Sequence, residues 1–443
     1  MSALARFMSS YSMSVSGYDR TASLITDILM SESIDVNFSD STEAIPHYIK
    51  ENNRKVLVIY TPAIPDDNMQ LQFFRRNHYP LVKRSEVVGM ISSAYENISV
   101  GGTHGKTSTS WMLAHILKYA GRNVYALLGG ISANYNTNYL HGKGLDGCTF
   151  VIEADEYDRS FLRLAPDIGI ITSVESDHLD IYGDFKSVSE AYQLFAQRIK
   201  NGGKLLHYDQ VVNVLPLKAV VKQSYGFSEN AQYRATNIRL KNDNHHFDFV
   251  SDQLNIKDIV LPFAGRHGIL NALPCIAVAA VNYGVKEEVI KEALINYKGV
   301  KRRMEVVLNE KDRVYIDDYA HHPTEIEVTL TALRERFPGK KITAIFQPHL
   351  FSRTKDFAGE FAKSLSMADR VALLDIYPAR ELPIEGVDSG LILNQIKLKD
   401  RIILKKEQVL DYVMADENEV LVTLGAGDID RLVEPIKEAI KNR

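Results

Sequence analysis

A short apolar strand, a glycine-rich turn and a helix follow one another without interruption at residues 97–120, and that succession constrains the fold most. Residues 97–100 read NISV and run into Gly101 and Gly102. From Thr107 to Ala120 the pattern is helical, and Gly121 suits the C-cap. Lys55 to Ile59 reads as a strand, and Val124 to Leu128, Phe150 to Ile152 and Ile168 to Val174 read as further buried strands. Strands alternating with helices predict parallel sheets with right-handed crossovers. Residues 205–262 differ: short β-like runs such as HHFDFV alternate with polar clusters, the pattern of an antiparallel insertion. A helical stretch follows from Leu270 to Ala280. A second α/β series begins near Arg302 with VYIDDY, KITAIF, RVALLDIY and EVLVTLG. Boundaries near 95 and 300 divide the 443 residues into 1–95, 96–300 and 301–443, in keeping with roughly 150 residues per domain.

Composition excludes several functional classes. With 45% hydrophobic and 24% charged residues the chain is globular rather than disordered. Lys and Arg number 52 against 56 Asp and Glu, so bulk charge supports neither a nucleic-acid nor a membrane-surface role. Two cysteines, Cys148 and Cys275, cannot build a disulfide framework or a Cys-rich zinc site. Neither a secretory pattern nor an apolar run of about 18 residues is seen, so a cytoplasmic location is expected.

The strongest motif is Gly102-Thr103-His104-Gly105-Lys106-Thr107-Ser108. Glycines there let the backbone approach phosphate oxygens, and the helix N-terminus adds a positive field. Lys106 supplies a cation for outer phosphates, and the Thr107 hydroxyl suits Mg²⁺. Val100 stands where the longer phosphate-loop pattern has its first glycine, so the match is to the shorter G-x-x-G-K-[ST]. The alternative for so short a motif is a helix-capping turn with an exposed lysine.

Acidic clusters follow two later strands. FVIEADEYDRSF carries Glu153, Asp155, Glu156 and Asp158, and VESDHLDIY carries Glu175, Asp177, His178 and Asp180. The ends of parallel strands are where open α/β sheets bind ligands, and such oxygen donors suit Mg²⁺ beside a nucleotide. In FAGRHGILNAL, Asn271 is a candidate for reading a base edge or for bonding backbone. Lys301-Arg302-Arg303 lies at the proposed junction, where arginine suits phosphate. IDDYAHHPTEI and IFQPHLFSRTKDF supply Asp317, Asp318, Tyr319, His321, His322, His349 and Arg353. The paired histidines lack a three-ligand zinc pattern with a general-base glutamate, so a carboxylate pocket suits this set better.

Together these segments resemble the Mur ligase family. The matching text is GGTHGKTSTS, VIEADEYDRSFL, SDHLDIYGDF, FAGRHGILNAL, GVKRRMEV, DDYAHHPTEI, QPHLFSRT, IYPARELPIEGV and TLGAGDI, in family order across nearly the whole chain. The resemblance implies an α/β fold of three domains: an N-terminal Rossmann-like domain for a UDP-sugar, a central P-loop ATPase domain and a C-terminal Rossmann-like domain. Within the family the text is most similar to ligases joining L-alanine to UDP-N-acetylmuramate. That implies phosphorylation of the lactyl carboxylate by ATP, then attack of the alanine amine on the acyl phosphate. The resemblance places the ATP phosphates on Gly102 to Ser108 and magnesium on Thr107, Glu153 and His178. It gives Asn271 a nucleotide contact, Arg303 the γ-phosphate, and Asp318 the ribose or phosphates. Tyr319, His321, His349 and Arg353 are similar to the alanine pocket, with Arg353 on the carboxylate and His321 or His349 accepting the amine proton.

Four departures stand out. The family commonly opens with a strand and a glycine-rich loop, whereas this sequence starts at MSALARF, inside that motif. A start misassigned at Met1 is the expectation, because loss of a central strand would leave two neighbours unpaired. Gly268 replaces the usual asparagine after His267, which bears on one adenine-side contact. Ser173-Val174 replaces the commoner Asn-Ile, and VSGYDR leaves Asp19 a weaker candidate for the sugar nucleotide. The rival readings are a recycling ligase that takes a preformed tripeptide, a nucleotide-binding protein without ligase activity, and a P-loop switch that recruits protein partners.

Overall fold

A computed structural model of the chain describes residues 1–51, 53–177, 179–213, 221–262, 265–310, 313–379, 381–415 and 419–442. Its backbone divides into two units. The first comprises Met1–Ala235, Phe249–Ile256 and Asn271–Asn296; the second comprises Thr236–Asp248, Lys257–Leu270 and Tyr297–Arg443.

The first unit opens with the helix Ser2–Ser10. Four short strands follow as two parallel pairs: β1 (Ser16–Tyr18) with β2 (Asp35–Asn37), and β3 (Val58–Tyr60) with β4 (Leu81–Lys83). The strand expected from Lys55 begins only at Val58, because Lys55 closes a 3₁₀ turn and β4 offers partners only to Val58, Ile59 and Tyr60.

The main sheet is built on β5 (Glu96–Gly101), β6 (Val124–Leu127), β7 (Tyr139–Leu140), β8 (Thr149–Glu153), β9 (Ile168–Ile171), β10 (Lys204–Tyr208) and β11 (Val221–Gly226). Their order is β11-β10-β9-β5-β8-β6-β7. Only β7 runs antiparallel to its partner in this set. All four residues of β6 and of β9 are buried, as strands covered on both faces require. The central β5 therefore has β8 on one side and β9 on the other, and their C-terminal ends converge on the glycine turn. The strand expected through Val174 stops at Ile171, since Thr172 and Ser173 turn to bond the loop after β5.

The insertion is only partly antiparallel. β10 pairs with β11 in parallel, and β11 meets the start of β12 (Tyr233–Lys241) in parallel through Tyr225↔Tyr233. The 209–220 connection is long enough for such a crossover. β13 (Asn244–Val250) and β14 (Asn255–Pro262) follow in order. Asn242 and Asp243 take φ of 50° and 60°, the two-residue turn of an antiparallel hairpin. The helix expected at 270–280 runs Arg266–Ala277 and continues as a π-turn, Val278–Asn282.

The second unit holds a six-stranded sheet of β15 (Glu305–Asn309), β16 (Val314–Asp318), β17 (Ile342–Phe346), β18 (Arg370–Leu373), β19 (Arg401–Ile403) and β20 (Val420–Leu424). The order is β15-β16-β20-β17-β18-β19, with only β15 antiparallel. Side chains alternate between two cores: Val314 and Ile316 enter one, Tyr315 the other. Helices such as Pro323–Arg336 cover the first core and Val433–Lys441 the second, giving the doubly wound arrangement expected of a Rossmann-like domain. No helix among the described residues is long and apolar enough to cross a membrane.

Candidate functional site

The glycine turn is fixed from both sides. Gly102 has φ +141°, and a Cβ there would lie 2.0 Å from Thr172 Oγ1. Gly105 is the N-cap of the helix Lys106–Tyr119 with φ +82°, and a Cβ there would lie 2.8 Å from Asn271 Oδ1. The Thr103 amide donates to Ser173 O at 3.1 Å, and the His104 amide donates to Ser173 Oγ at 2.9 Å. Thr172 Oγ1 donates to His104 O at 2.5 Å. The Glu175 amide donates to Thr103 Oγ1 at 2.9 Å, so the second acidic cluster ties to the loop by its backbone. We expect Gly102→Ala to lower stability by about 3 kcal/mol or more, through strain plus the clash, and to abolish nucleotide binding. Thermal unfolding and a binding titration check both.

Side chains converge on the turn. The Thr107 hydroxyl donates to Glu153 Oε1 at 2.7 Å, and the Gly129 amide donates to Glu153 Oε2 at 2.8 Å. Two hard oxygen donors held this close fit Mg²⁺. Ser108 lies in the first turn of the helix and Asn271 beside Gly105. His178 lies outside the described residues. Lys106 Nζ reaches Gly102 O at 2.6 Å and the Glu156 carboxylate at 2.7 Å. A cavity of about 300 Å³ opens beside Glu153, bordered by Arg84, Leu128, Asn138 and Asp155.

The second unit gathers its candidates at the C-terminal ends of β16 and β17. Asp318 is buried; its Oδ2 accepts from the Met304 amide and its Oδ1 from the Ala320 amide, each at 2.8 Å. Burial pushes its carboxyl up to about 6, with Arg303 opposing. An acid whose pKa rises on folding stabilises the fold below its unfolded pKa and loses that contribution as pH rises through the folded value. Wild-type stability should therefore fall between pH 3.8 and about 6 relative to Asp318→Asn, as read by denaturant titrations across that window.

Arg303 lies over the Tyr319 ring at 4.9 Å and 3.5 Å from Glu325. His321 Nδ1 is 3.0 Å from Tyr319 O and 3.2 Å from Glu325, while its ring faces His349 at 5.7 Å. Arg353 is buried on the short helix Phe351–Asp356. Thus Arg303, Tyr319, His321 and His349 form one connected group. His322 instead caps the next helix and packs on Phe357.

Two further residues join this group without a motif that marks them. Tyr377 stacks on His349 at 5.8 Å and exchanges backbone bonds with Pro348 and Leu350. Glu381 accepts from the Ser352 amide and hydroxyl, the residue before Arg353. Both lie in the IYPARE stretch, whose Pro between two polar groups was the available signal. Of the basic run, Arg302 is bound within the second unit: it pairs with buried Asp317 at 3.0 Å and donates to Gly425 O at 2.6 Å.

Three family models match: Mur ligase family, catalytic domain, at residues 1–96; Mur ligase middle domain at 100–279; and Mur ligase, glutamate ligase domain, at 302–427. The chain belongs to the Mur ligase family. Among Mur ligases, UDP-N-acetylmuramate–L-alanine ligase of Cytophaga hutchinsonii is 44% identical over 100% of this chain and 95% of its own. The same-named enzyme of Porphyromonas gingivalis strain W83 is 43% identical over 100% and 96%. The crystal structure of a UDP-N-acetylmuramate–alanine ligase from Thermotoga maritima matches with TM-score 0.82, 27% identity, and coverage of 100% and 96%. A murein peptide ligase from Psychrobacter arcticus shares the fold at TM-score 0.70 and 22% identity, covering 100% and 97%. The three-domain Mur ligase architecture follows.

Proposed function

We propose that this Mur ligase joins L-alanine to UDP-N-acetylmuramate at the expense of ATP, an early step of peptidoglycan precursor synthesis. The observation that carries the reading is similarity at 44% identity along the whole chain to ligases of that name. We assign residues 1–95 to the UDP-sugar, 96–300 to ATP and 301–443 to the acceptor. The turn Gly102 to Ser108 cradles the phosphates, with Asn271 and Asp318 on the nucleotide. Thr107 and Glu153, with His178, would hold Mg²⁺, which offsets charge on the transferring phosphoryl group when bound. Lys106 and Arg303 add positive charge for the outer phosphates. The setting is the cytoplasm, where these precursors are made.

The residues account for the order of events. A lactyl carboxylate oxygen attacks the γ-phosphorus and ADP departs. The resulting acyl phosphate has a good leaving group, which a free carboxylate lacks. Arg353 holds the alanine carboxylate in a two-pronged pair, leaving the amine to attack the acyl carbon. His321 or His349 accepts the amine proton, and phosphate leaves.

Phosphate release from ATP, Mg²⁺ and UDP-N-acetylmuramate, with and without L-alanine, tests this. Release requiring L-alanine, with the recycling tripeptide unable to replace it, is expected. Turnover with the tripeptide would instead select the recycling ligase.

A further inference from the structure

The phosphate-loop lysine already has partners for its three protons. Lys106 Nζ donates to Gly102 O at 2.6 Å, to Thr103 O at 3.3 Å and to Glu156, whose carboxylate oxygens lie at 2.8 and 2.7 Å. Glu156 is 3% exposed, and its backbone oxygen accepts from the Tyr182 hydroxyl at 2.6 Å. An ammonium group has three donors, so phosphate can gain one only if a partner yields. The two carbonyls belong to a loop pinned by Thr172 and Ser173. The carboxylate is the partner that competes with phosphate for the same charge.

We propose that Glu156 is the resting counter-ion of Lys106 and that the nucleotide phosphates displace it when they bind. This makes Glu156 a positioning residue, acting on phosphate only through the lysine. The proposal rests on reading Gly102 to Ser108 as the ATP phosphate site.

Displacement has a chemical consequence. Asp155 also raises the Glu156 carboxyl, Glu156 in turn raises the Tyr182 and Tyr192 hydroxyls, Arg159 lies over the Tyr182 ring, and Glu153 acts on the lysine. Even with Lys106 in place, burial pushes the Glu156 carboxyl up to about 7. Once the lysine turns to phosphate, that acid loses its counter-ion and takes a proton from solvent. At about pH 8, where the resting carboxyl is mostly ionised, binding should take up close to one proton per nucleotide.

Calorimetric titration of the full chain with Mg²⁺ and a non-hydrolysable ATP analogue, in buffers of different ionisation enthalpy, reads this directly. Wild type should show the uptake. Glu156→Gln should lose it and bind about tenfold tighter, a shift of about 1.4 kcal/mol. Glu156→Asp keeps the charge and should keep the uptake. Equal proton counts in wild type and Glu156→Gln, with binding lost in Lys106→Met, would overturn the counter-ion exchange and leave the phosphate-loop reading standing. Undiminished binding by Lys106→Met would overturn the loop reading itself. If Glu156→Gln does not fold, absence of uptake in wild type overturns the exchange.

Discussion

Lys106→Met should cut alanine-dependent phosphate release by about 10²–10³-fold, the usual loss when a preorganised donor to developing charge is removed. The lysine opens the first turn of the helix that follows the glycine turn, and its reach is set by that backbone. Loss of a buried cation often unfolds a protein, because the abandoned anion costs about 3–5 kcal/mol. Here the abandoned anion is Glu156, already pushed up to about 7 by burial. It can take a proton instead of remaining charged. The variant should therefore keep a cooperative thermal transition while losing turnover. A variant that is folded and retains full activity would remove Lys106 from the phosphate site.

Arg353→Ala should raise the KM for L-alanine by about 10²-fold, with much less effect on the KM for ATP. Two charge-assisted hydrogen bonds to one carboxylate account for about 3 kcal/mol. Arg353 is 7% exposed, and its neighbours restrict it. Leu350 enters the short helix with φ +70°, bonded through its amide to Tyr377 O at 2.9 Å. Glu381 accepts from the Ser352 amide at 2.9 Å. Arg353→Lys should recover only part of the loss, since it keeps the charge but not the planar fork. Steady-state kinetics with L-alanine varied and both other substrates saturating measure this. An unchanged alanine KM would place the acceptor carboxylate elsewhere.

What could be read from the chain follows from how local each feature is. The turn Gly102 to Ser108 is legible because strand end, backbone freedom and helix start are contiguous. Glu153 is legible because it closes an apolar strand beside that turn. The bond between Glu156 and Lys106 is not, because it joins the loop after β8 to the helix after β5 across 50 positions of sequence and depends on those two strands being neighbours. Tyr377 reaches His349 because β17 and β18 are neighbours, and strand order is not written in spacing. Arg302 rather than Lys301 or Arg303 meets Asp317 for a similar reason: Arg302 itself takes φ +61°. The strands β1, β2 and β4 have three residues each, too few for a period to be seen.

The helix Ser2–Ser10 bears on how this molecule comes apart. Phe7 makes edge-on contacts with Tyr125, Tyr139 and Phe150 at 6.2, 6.2 and 5.9 Å. Arg6, from the same helix, donates to Asn138 at 2.5 Å and to Glu32 at 2.6 Å. Ala3, Leu4, Val87, Val88 and Ile91 belong to the same core as Tyr125, Phe150 and Ile152. A family-model border near residue 96 is therefore a border of ancestry and not of cooperativity. Residues 1–95 and the β5–β10 sheet should melt together, with matching amide-exchange protection at Leu4 and Phe150. Expressed without its first ninety-five residues, the β5–β10 sheet would present an aromatic face to water and tend to associate.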